Sequence, residues 1–247
     1  MELPLTLATI ILVLILIYIL ARRQQSGKQV SLRPFSAHTA LRGQVGRAVE
    51  SASRLHISLG RASLIGAASP VSLAAMSVLD RLAEDGCANG TPPITTIGDG
   101  TLLPLAENNL RHAAAQAGNE NIPTGTVQFV ANQTDAFAYA AGVTNVIQQE
   151  KILGSVMVGQ FGSELGIITE VAGRRGVNQV IGSDDPLALA IAATATEELI
   201  IGEELLAAPA YIQGSSFQIA SLQVQDLLRI IISVSILGAL VYKLVSG

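Results

Sequence analysis

The sequence has few of the residues that build metal or thiol chemistry. It contains one cysteine, Cys87, and its three histidines, His38, His56 and His112, lack metal-ligand spacing. A lone cysteine excludes an internal disulfide and a thiolate metal cluster, and scattered histidines do not fit a zinc site. Tryptophan is absent and aromatic residues make up 4% of the chain. We therefore expect neither a structural zinc site nor a disulfide scaffold.

Charge is also scarce. Only 14% of the 247 residues are charged and 49% are hydrophobic, whereas soluble domains usually carry about a quarter charged residues. This shortfall indicates contact with a lipid bilayer. The net charge of −4 argues against a nucleic-acid partner, because phosphate binding requires a basic surface.

An uninterrupted apolar run covers residues 3–21 and contains no charge. As a helix it would be roughly 28 Å long, enough for a bilayer core. A cleaved signal peptide is the alternative, but Glu2 stands where a positive segment is expected and Ile-Leu-Ala-Arg-Arg is a poor cleavage context. The run therefore predicts a retained transmembrane helix.

A second apolar segment covers residues 227–245. Its charges are Arg229 and Lys243, near its ends, where long cationic side chains reach the interface. An amphipathic helix packed on the domain is the alternative, but Ile230–Val241 is apolar on every face. We expect a second transmembrane helix here, which places both termini on the same side of the membrane.

Basic residues set the predicted orientation. Arg22, Arg23, Lys28 and Arg33 follow the first span, whereas no lysine or arginine precedes it. The positive-inside rule then predicts a cell-membrane protein with a cytoplasmic central domain and both termini outside. Residues 22–42, polar and containing Pro34, are interpreted as a juxtamembrane linker.

Residues 43–225 alternate short apolar runs with helical patterns, which predicts an α/β domain. The predicted strands are Leu55–Gly60, Pro93–Ile97, Val127–Ala131, Val156–Gly159, Val177–Ile181 and Glu197–Ile201. The predicted helices cover residues 69–82, 102–116, 134–149, 163–172, 186–196 and 205–211, with Asn132-Gln133-Thr134 capping the third. Such alternation is typical of right-handed crossovers. The predicted fold is a Rossmann-like or flavodoxin-like, mostly parallel sheet flanked by the two transmembrane helices.

In such a sheet, ligands bind outside the carboxyl ends of the strands. The candidate binding residues there are Gly98, Asp99, Thr101, Gly159, Gly162, Ser163 and Glu164. Arg61 is the nearest cation. Their carboxylates could bind Mg²⁺, Ca²⁺, a ribose or an amine, so the sequence identifies no particular cofactor.

The alternative is that these carboxylates only cap helices, where each complements the helix dipole by roughly 0.3–1 kcal/mol. Ser163 is interpreted as an N-cap rather than a nucleophile, and His56 as a buried core residue. The chain has no P-loop and no nucleophile elbow, and its Gly159-x-x-Gly162 only loosely matches a dinucleotide-binding turn. We expect no catalytic residue.

Six short strings share a family likeness: Gly46–Glu50, His56–Gly60, Phe137–Gly142, Gly159–Glu164, Gly202–Leu205 and Gln225–Arg229. The chain resembles, over about residues 33–235, a family of prokaryotic membrane proteins known only as a domain of unknown function. The resemblance implies a membrane-anchored cytoplasmic domain and no activity.

The sequence is compatible with two functions. The first is a non-enzymatic, membrane-anchored scaffold or assembly subunit of a membrane complex, acting as a homo-oligomer, since alanine-rich helices of low charge suit contacts between subunits. The second is a ligand-sensing or enzymatic domain that binds a nucleotide or divalent metal at the acidic edge.

Overall fold

The computed structural model describes residues 2–25, 36–51, 53–61, 63–66, 69–119, 122–132, 134–212 and 214–246. It divides into two compact units, Met1–Arg33 with Gln213–Gly247, and Pro34–Ile212. Lys28, Arg33, Pro34 and Gln133 entered the orientation, linker and capping predictions and lie outside the described residues.

In the second unit, strands and helices alternate along the chain. The strands are β1 (Arg54–Gly60), β2 (Ile94–Ile97), β3 (Val127–Phe129), β4 (Ile152–Gln160), β5 (Asn178–Ser183) and β6 (Leu199–Ile201). The helices are α2 (Ser36–Glu50), α3 (Ser69–Ala88), α4 (Leu103–Gln116), α5 (Ala136–Gln149), α6 (Leu165–Arg174), α7 (Pro186–Ala192) and α8 (Glu203–Ile212). All six predicted strands are present, with ends shifted by a few residues.

The six strands form one sheet in the order β3-β2-β1-β4-β5-β6, with every pair parallel. The prediction of a parallel α/β sheet is confirmed. The order matches the doubly wound dinucleotide-binding sheet rather than the flavodoxin order. Because β1 and β4 are neighbours at the centre, their carboxyl ends define the point at which the strand order reverses.

Side chains alternate between the two faces of each strand, and each face is covered by helices. On one face Ile57 of β1 and Val156 of β4 belong to an apolar core that includes residues of α2, α3, α4 and α8. On the other face Met157 packs in a second core with residues of α5, α6 and α7, Tyr139 among them. The domain is therefore a helix–sheet–helix sandwich.

One helix was missed by the sequence-based prediction. Residues 36–42, interpreted as part of a linker, begin α2. The apolar side chains of Ala37, Leu41, Val45 and Ala48 are buried at the three- and four-residue spacing of one helix face. The linker interpretation was wrong for these residues because that spacing is interrupted by glycine, glutamine and arginine.

The first unit consists of α1 (Glu2–Gln25) and α9 (Ser216–Ser246), which pack against each other. Gln24 Nε2 donates a hydrogen bond to Gln223 Oε1 at 3.1 Å. Within the described residues, one helix, Ser216–Leu244, is long and apolar enough to cross a membrane, with a mean hydropathy of 2.0 and none of that apolar window buried. The C-terminal part of the membrane prediction thus has a helix of suitable length and composition.

Candidate functional site

The candidate site lies where β1 and β4 end side by side. β2 and β3 extend the sheet on one side of this pair, and β5 and β6 extend it on the other. Crossovers leave the two strands toward opposite faces of such a sheet, which opens a crevice outside their carboxyl ends. Arg61 follows β1 into this crevice, and Phe161–Glu164 follow β4.

The backbones of the two strands approach closely at this point. Arg61 N donates a hydrogen bond to Gln160 O at 2.9 Å. Gly60 has φ +70°, and a Cβ there would lie 2.5 Å from the same carbonyl oxygen. Only glycine fits this position, because both the backbone conformation and the space exclude a side chain.

The Arg61 side chain crosses the crevice between the predicted residues that follow β2 and those that follow β4. A Cβ at Gly98 would lie 3.0 Å from Arg61 Cγ, and one at Gly162 would lie 3.4 Å from Arg61 Nη2. At its far end, Arg61 Nε donates to Glu164 Oε1 at 2.7 Å. The two glycines therefore leave the space that the guanidinium and its aliphatic stem occupy.

Glu164 is the most enclosed acidic residue of the predicted set, with 1% of its surface exposed. Its Oε1 also accepts a hydrogen bond from Gly162 N at 2.9 Å. Its Oε2 is buried and, among the described residues, has no hydrogen-bond partner. A buried acceptor without a donor is unfavourable and uncommon in folded proteins, so this oxygen is the one feature of the crevice that points to a missing donor.

The other predicted residues have local roles. Asp99 Oδ1 accepts hydrogen bonds from Thr101 N at 2.8 Å and from Thr101 Oγ1, which closes the turn after β2. Gly159 is buried, and a Cβ there would lie 2.2 Å from Leu59 O. The structure thus brings Gly98, Gly162 and Glu164 together around Arg61. Asp99 bonds Thr101, whose Oγ1 also accepts a hydrogen bond from Leu64 N at 3.2 Å in the loop after β1.

Two of the capping predictions were wrong. Ser163 is exposed, and the N-cap position of α6 belongs to Glu164, whose side chain makes no capping hydrogen bond. For α5, Asp135 provides the cap, since its Oδ1 accepts from Ala138 N at 2.9 Å. In α7 the carboxylate of Asp185 does cap the helix, as its place before Pro186 indicates.

Tyr139 is a residue of the crevice that the sequence analysis placed only within the helix predicted over residues 134–149. Its hydroxyl is 2.7 Å from Ser58 Oγ, and its Cδ2 atom would lie 2.9 Å from a Cβ at Gly98. Burial raises the pKa of Tyr139 to about 12, with a further contribution from the Glu164 carboxylate. The signal in the sequence that could have identified Tyr139 as a crevice residue was a tyrosine among the alanines of Phe137–Gly142.

His56 is a core residue, as predicted. It is fully buried, with Nδ1 2.8 Å from Ser155 Oγ and Nε2 3.0 Å from Thr96 Oγ1. Burial lowers the pKa of His56 to about 3. Both ring nitrogens are engaged by hydroxyl groups, so His56 is held as the neutral imidazole at neutral pH.

These pKa values leave neither His56 nor Tyr139 as a general acid or base at neutral pH. A general acid or base works best when its pKa is near the operating pH, and the pKa values of His56 and Tyr139 are several units away from neutrality. Among the described residues, no group of three or more His, Cys, Asp or Glu side chains could hold a metal ion. The arrangement is suited to holding a group by hydrogen bonds.

The same edge of the sheet carries exposed apolar side chains. Within the described part of Pro34–Ile212, nine large apolar residues are exposed, and each lies in a loop after a strand, at a strand end, or within the first five residues of the next helix. We call this set the carboxyl-edge apolar surface: Ile65, Leu73, Leu105, Phe129, Phe137, Ile167, Leu187, Ile201 and Leu206.

The chain is similar to a family of proteins over almost its whole length. A model described as a domain of unknown function, DUF6754, matches residues 2–246. The chain belongs to the DUF6754 family. No curated protein and no solved structure matches the chain. Membership of this family assigns no activity to the crevice, so its function has to be argued from its geometry.

Proposed function

We propose that this member of the DUF6754 family is a non-enzymatic, membrane-anchored assembly subunit that forms a homo-oligomer through its carboxyl-edge apolar surface. The observation that carries the proposal is that all nine exposed large apolar residues of the described α/β domain lie at one edge of the sheet. Exposed large apolar side chains that gather at one end of a domain are typical of interaction surfaces.

Exposed ion pairs follow the apolar residues along two of these helices. Arg111 pairs with Glu107 on α4, and Arg174 pairs with Glu170 on α6. Both pairs are solvent-exposed, as expected for a surface that stays in water. The contrast between the two ends of the helices supports a contact at the carboxyl edge rather than a uniformly apolar surface.

The crevice between β1 and β4 supports a role without catalysis. It is filled by the protein's own Arg61, Glu164 and Tyr139 side chains, and the carboxylates of Asp99 and Asp185 are used in local hydrogen bonds. Among the described residues near the crevice, the pKa values of His56 and Tyr139 do not suit a general base at neutral pH. This pattern favours stabilisation of the edge over turnover of a substrate.

In the proposed arrangement, α1 and α9 both cross the cell membrane and the α/β domain lies in the cytoplasm. The support is the length and composition of α9, the apolar run of residues 3–21, and the basic residues that follow it. Copies anchored in one membrane meet at a raised effective concentration. The partner in the proposed assembly is therefore a second copy of this chain.

The experiment compares the oligomeric state of full-length variants extracted in detergent, using native mass spectrometry. Phe137→Ser and Leu187→Ser remove large side chains that are 67% and 56% exposed, so they should dissociate the oligomer and leave the domain folded. Arg111→Ser and Arg174→Ser are the controls on the charged ends of the helices. A monomeric wild-type protein, or equal assembly of all four variants, would refute the proposal.

A ligand-sensing function at the crevice is the second candidate, because Glu164 Oε2 is buried without a donor. A nucleotide ribose or a divalent cation could satisfy this oxygen. In the same mass spectra, a reproducible nucleotide-sized or metal mass that is lost in Glu164→Gln would favour this function. Identical bound mass in wild type and variant would remove it.

A further inference from the structure

The carboxyl edge of the sheet is acidic as well as apolar. In the loops after the strands and the first five residues of the next helices, the described residues include eight carboxylates and one basic side chain, that of Arg61. Glu164 pairs with Arg61, and Glu107 pairs with Arg111 on the following turn of α4. The remaining six carboxylates are Asp99, Asp135, Asp184, Asp185, Glu203 and Glu204. Because the whole chain carries a net charge of only −4, the negative charge is concentrated at this edge.

Local hydrogen bonds hold several of these carboxylates in place. Asp135 Oδ1 accepts from Ala138 N at 2.9 Å, and Glu204 Oε2 accepts from Ile201 N at 3.2 Å. A backbone N–H donor carries no full charge, so these bonds position the carboxylates without cancelling their charge. Asp184, before α7, is exposed to solvent. The negative charge therefore lies on the same surface as the exposed apolar side chains.

Basic residues are found at the opposite end of the strands. Arg54 begins β1, Lys151 immediately precedes β4, and Arg174 ends α6 just before β5. None of the nine exposed large apolar residues of the described domain lies at this amino end. A contact driven by the burial of apolar surface therefore finds a matching apolar surface only on the carboxyl edge of another copy. A contact that uses the same surface on both copies is isologous, which is the arrangement of a two-fold dimer.

We propose that the assembly is an isologous dimer in which two carboxyl edges face each other, and that repulsion between their carboxylates makes its strength depend on ionic strength. This inference rests on the assembly proposed above. Burial of the apolar side chains supplies the attraction, whereas like charges brought face to face oppose it. Salt screens the repulsion, since the Debye length falls from about 30 Å at 0.01 M to about 10 Å at 0.1 M. The acidic edge thereby keeps the copies apart at low ionic strength and allows them to associate at high ionic strength.

The test measures the dissociation constant of the full-length protein in a non-ionic detergent by sedimentation velocity, at NaCl concentrations between about 20 and 200 mM. We expect a dimer whose association strengthens by at least about tenfold across this range. Weaker association at higher salt would overturn the proposal, because that is the response of a contact between an acidic edge and a basic one. An assembly larger than a dimer would also overturn it.

Charge variants separate screening of carboxylates from a general effect of salt. Asp184→Asn and Glu203→Gln each remove one charge from the edge of both copies, at exposed positions. Each should tighten association at about 20 mM NaCl by at least about threefold and reduce the dependence on salt. Glu50→Gln and Glu197→Gln, at exposed carboxylates directly before β1 and β6, are the matched controls and should behave like the wild type. Equal dissociation constants for all four variants would overturn the proposal.

The salt series also distinguishes failure of this inference from failure of the proposed assembly. A wild-type protein that stays monomeric at every salt concentration would refute both. A dimer that is lost in Phe137→Ser but does not respond to salt would leave assembly through the apolar surface intact and overturn the facing acidic edges. A dimer that strengthens with salt and is lost in Phe137→Ser at every concentration would support both.

Discussion

The protein should lose stability in mild acid because of His56. In the folded chain both ring nitrogens face hydroxyl groups, of Ser155 and Thr96, and the side chain has no exposed surface. Burial holds the pKa of His56 at about 3, whereas a histidine in an unfolded chain titrates near 6.5. On acidification, His56 therefore binds a proton in the unfolded state at pH values where it stays neutral in the folded state.

The sign and size of this change in the free energy of unfolding follow from proton linkage. The contribution of His56 is fully present above pH 6.5 and is lost as the pH falls from 6.5 toward 3, because the unfolded state binds more protons throughout that window. A shift of one pKa unit corresponds to about 1.4 kcal/mol. Between pH 7 and pH 5, the free energy of unfolding should therefore fall by about 2 kcal/mol from this residue alone.

Urea titrations followed by far-ultraviolet circular dichroism, at several pH values between 7 and 5, measure this loss. His56→Asn removes the titrating group and should show a shallower dependence of unfolding free energy on pH, by about one proton. His112→Asn, at an exposed position on α4, is the matched control and should keep the wild-type slope. Equal slopes in wild type and His56→Asn would refute the argument.

Three further predictions concern the packing of the α/β domain, measured by the same urea titrations. Gly60→Ala should destabilise more than Gly118→Ala by about 1–3 kcal/mol, because both have φ near +70° but only the first Cβ would meet backbone atoms; equal losses would show that the strands separate without cost. Arg61→Ala should cost about 3 kcal/mol by leaving a buried carboxylate unpaired, against less than about 1 kcal/mol for the exposed Arg174→Ala; similar values would mean that the crevice pair is solvated. Asp185→Ala should cost about 1 kcal/mol through the lost N-cap of α7, and no change would mean that water replaces the cap.

The sheet was predictable because its strands have strong local signals. β4 is an almost continuous apolar run, as parallel strands buried on both faces require, and β5 ends in a serine followed by a capping aspartate. These signals depend on residues that are adjacent in sequence. Strand order does not depend on adjacent residues, because it is set by which helix covers which face of the sheet. The sequence therefore left the Rossmann-like and flavodoxin-like orders open.

The site was only partly predictable for the same reason. Gly162 and Glu164 were singled out because they follow a strand, but the partner of Glu164 is Arg61, 103 positions earlier in the chain. No local pattern connects two residues at that separation. Tyr139 extends into the crevice from α5. Its hydroxyl forms a hydrogen bond with Ser58 Oγ only once the helix has packed on the sheet.

The contacts made by the polar residues of α2 were missed together with that helix. Gln44 and Arg47 lie on a helix whose apolar spacing is interrupted by polar residues and two glycines. Buried oxygens without donors become visible only when the neighbours of each atom are known. The sequence supplies residue types, whereas satisfaction of hydrogen bonds depends on the packed structure.

The neighbouring positions of β1 and β4 have a consequence for synthesis of the chain. Leu55 pairs with Gly154 at the centre of the sheet, so about a hundred residues must be translated between the two halves of this pairing. Until β4 is made, β1 is an edge strand with unpaired backbone groups, which can pair wrongly with other chains. Long-range pairing of this kind is also slow. Nascent chains that end before residue 160 should therefore be the most aggregation-prone products of this gene, and the ones that most need a chaperone.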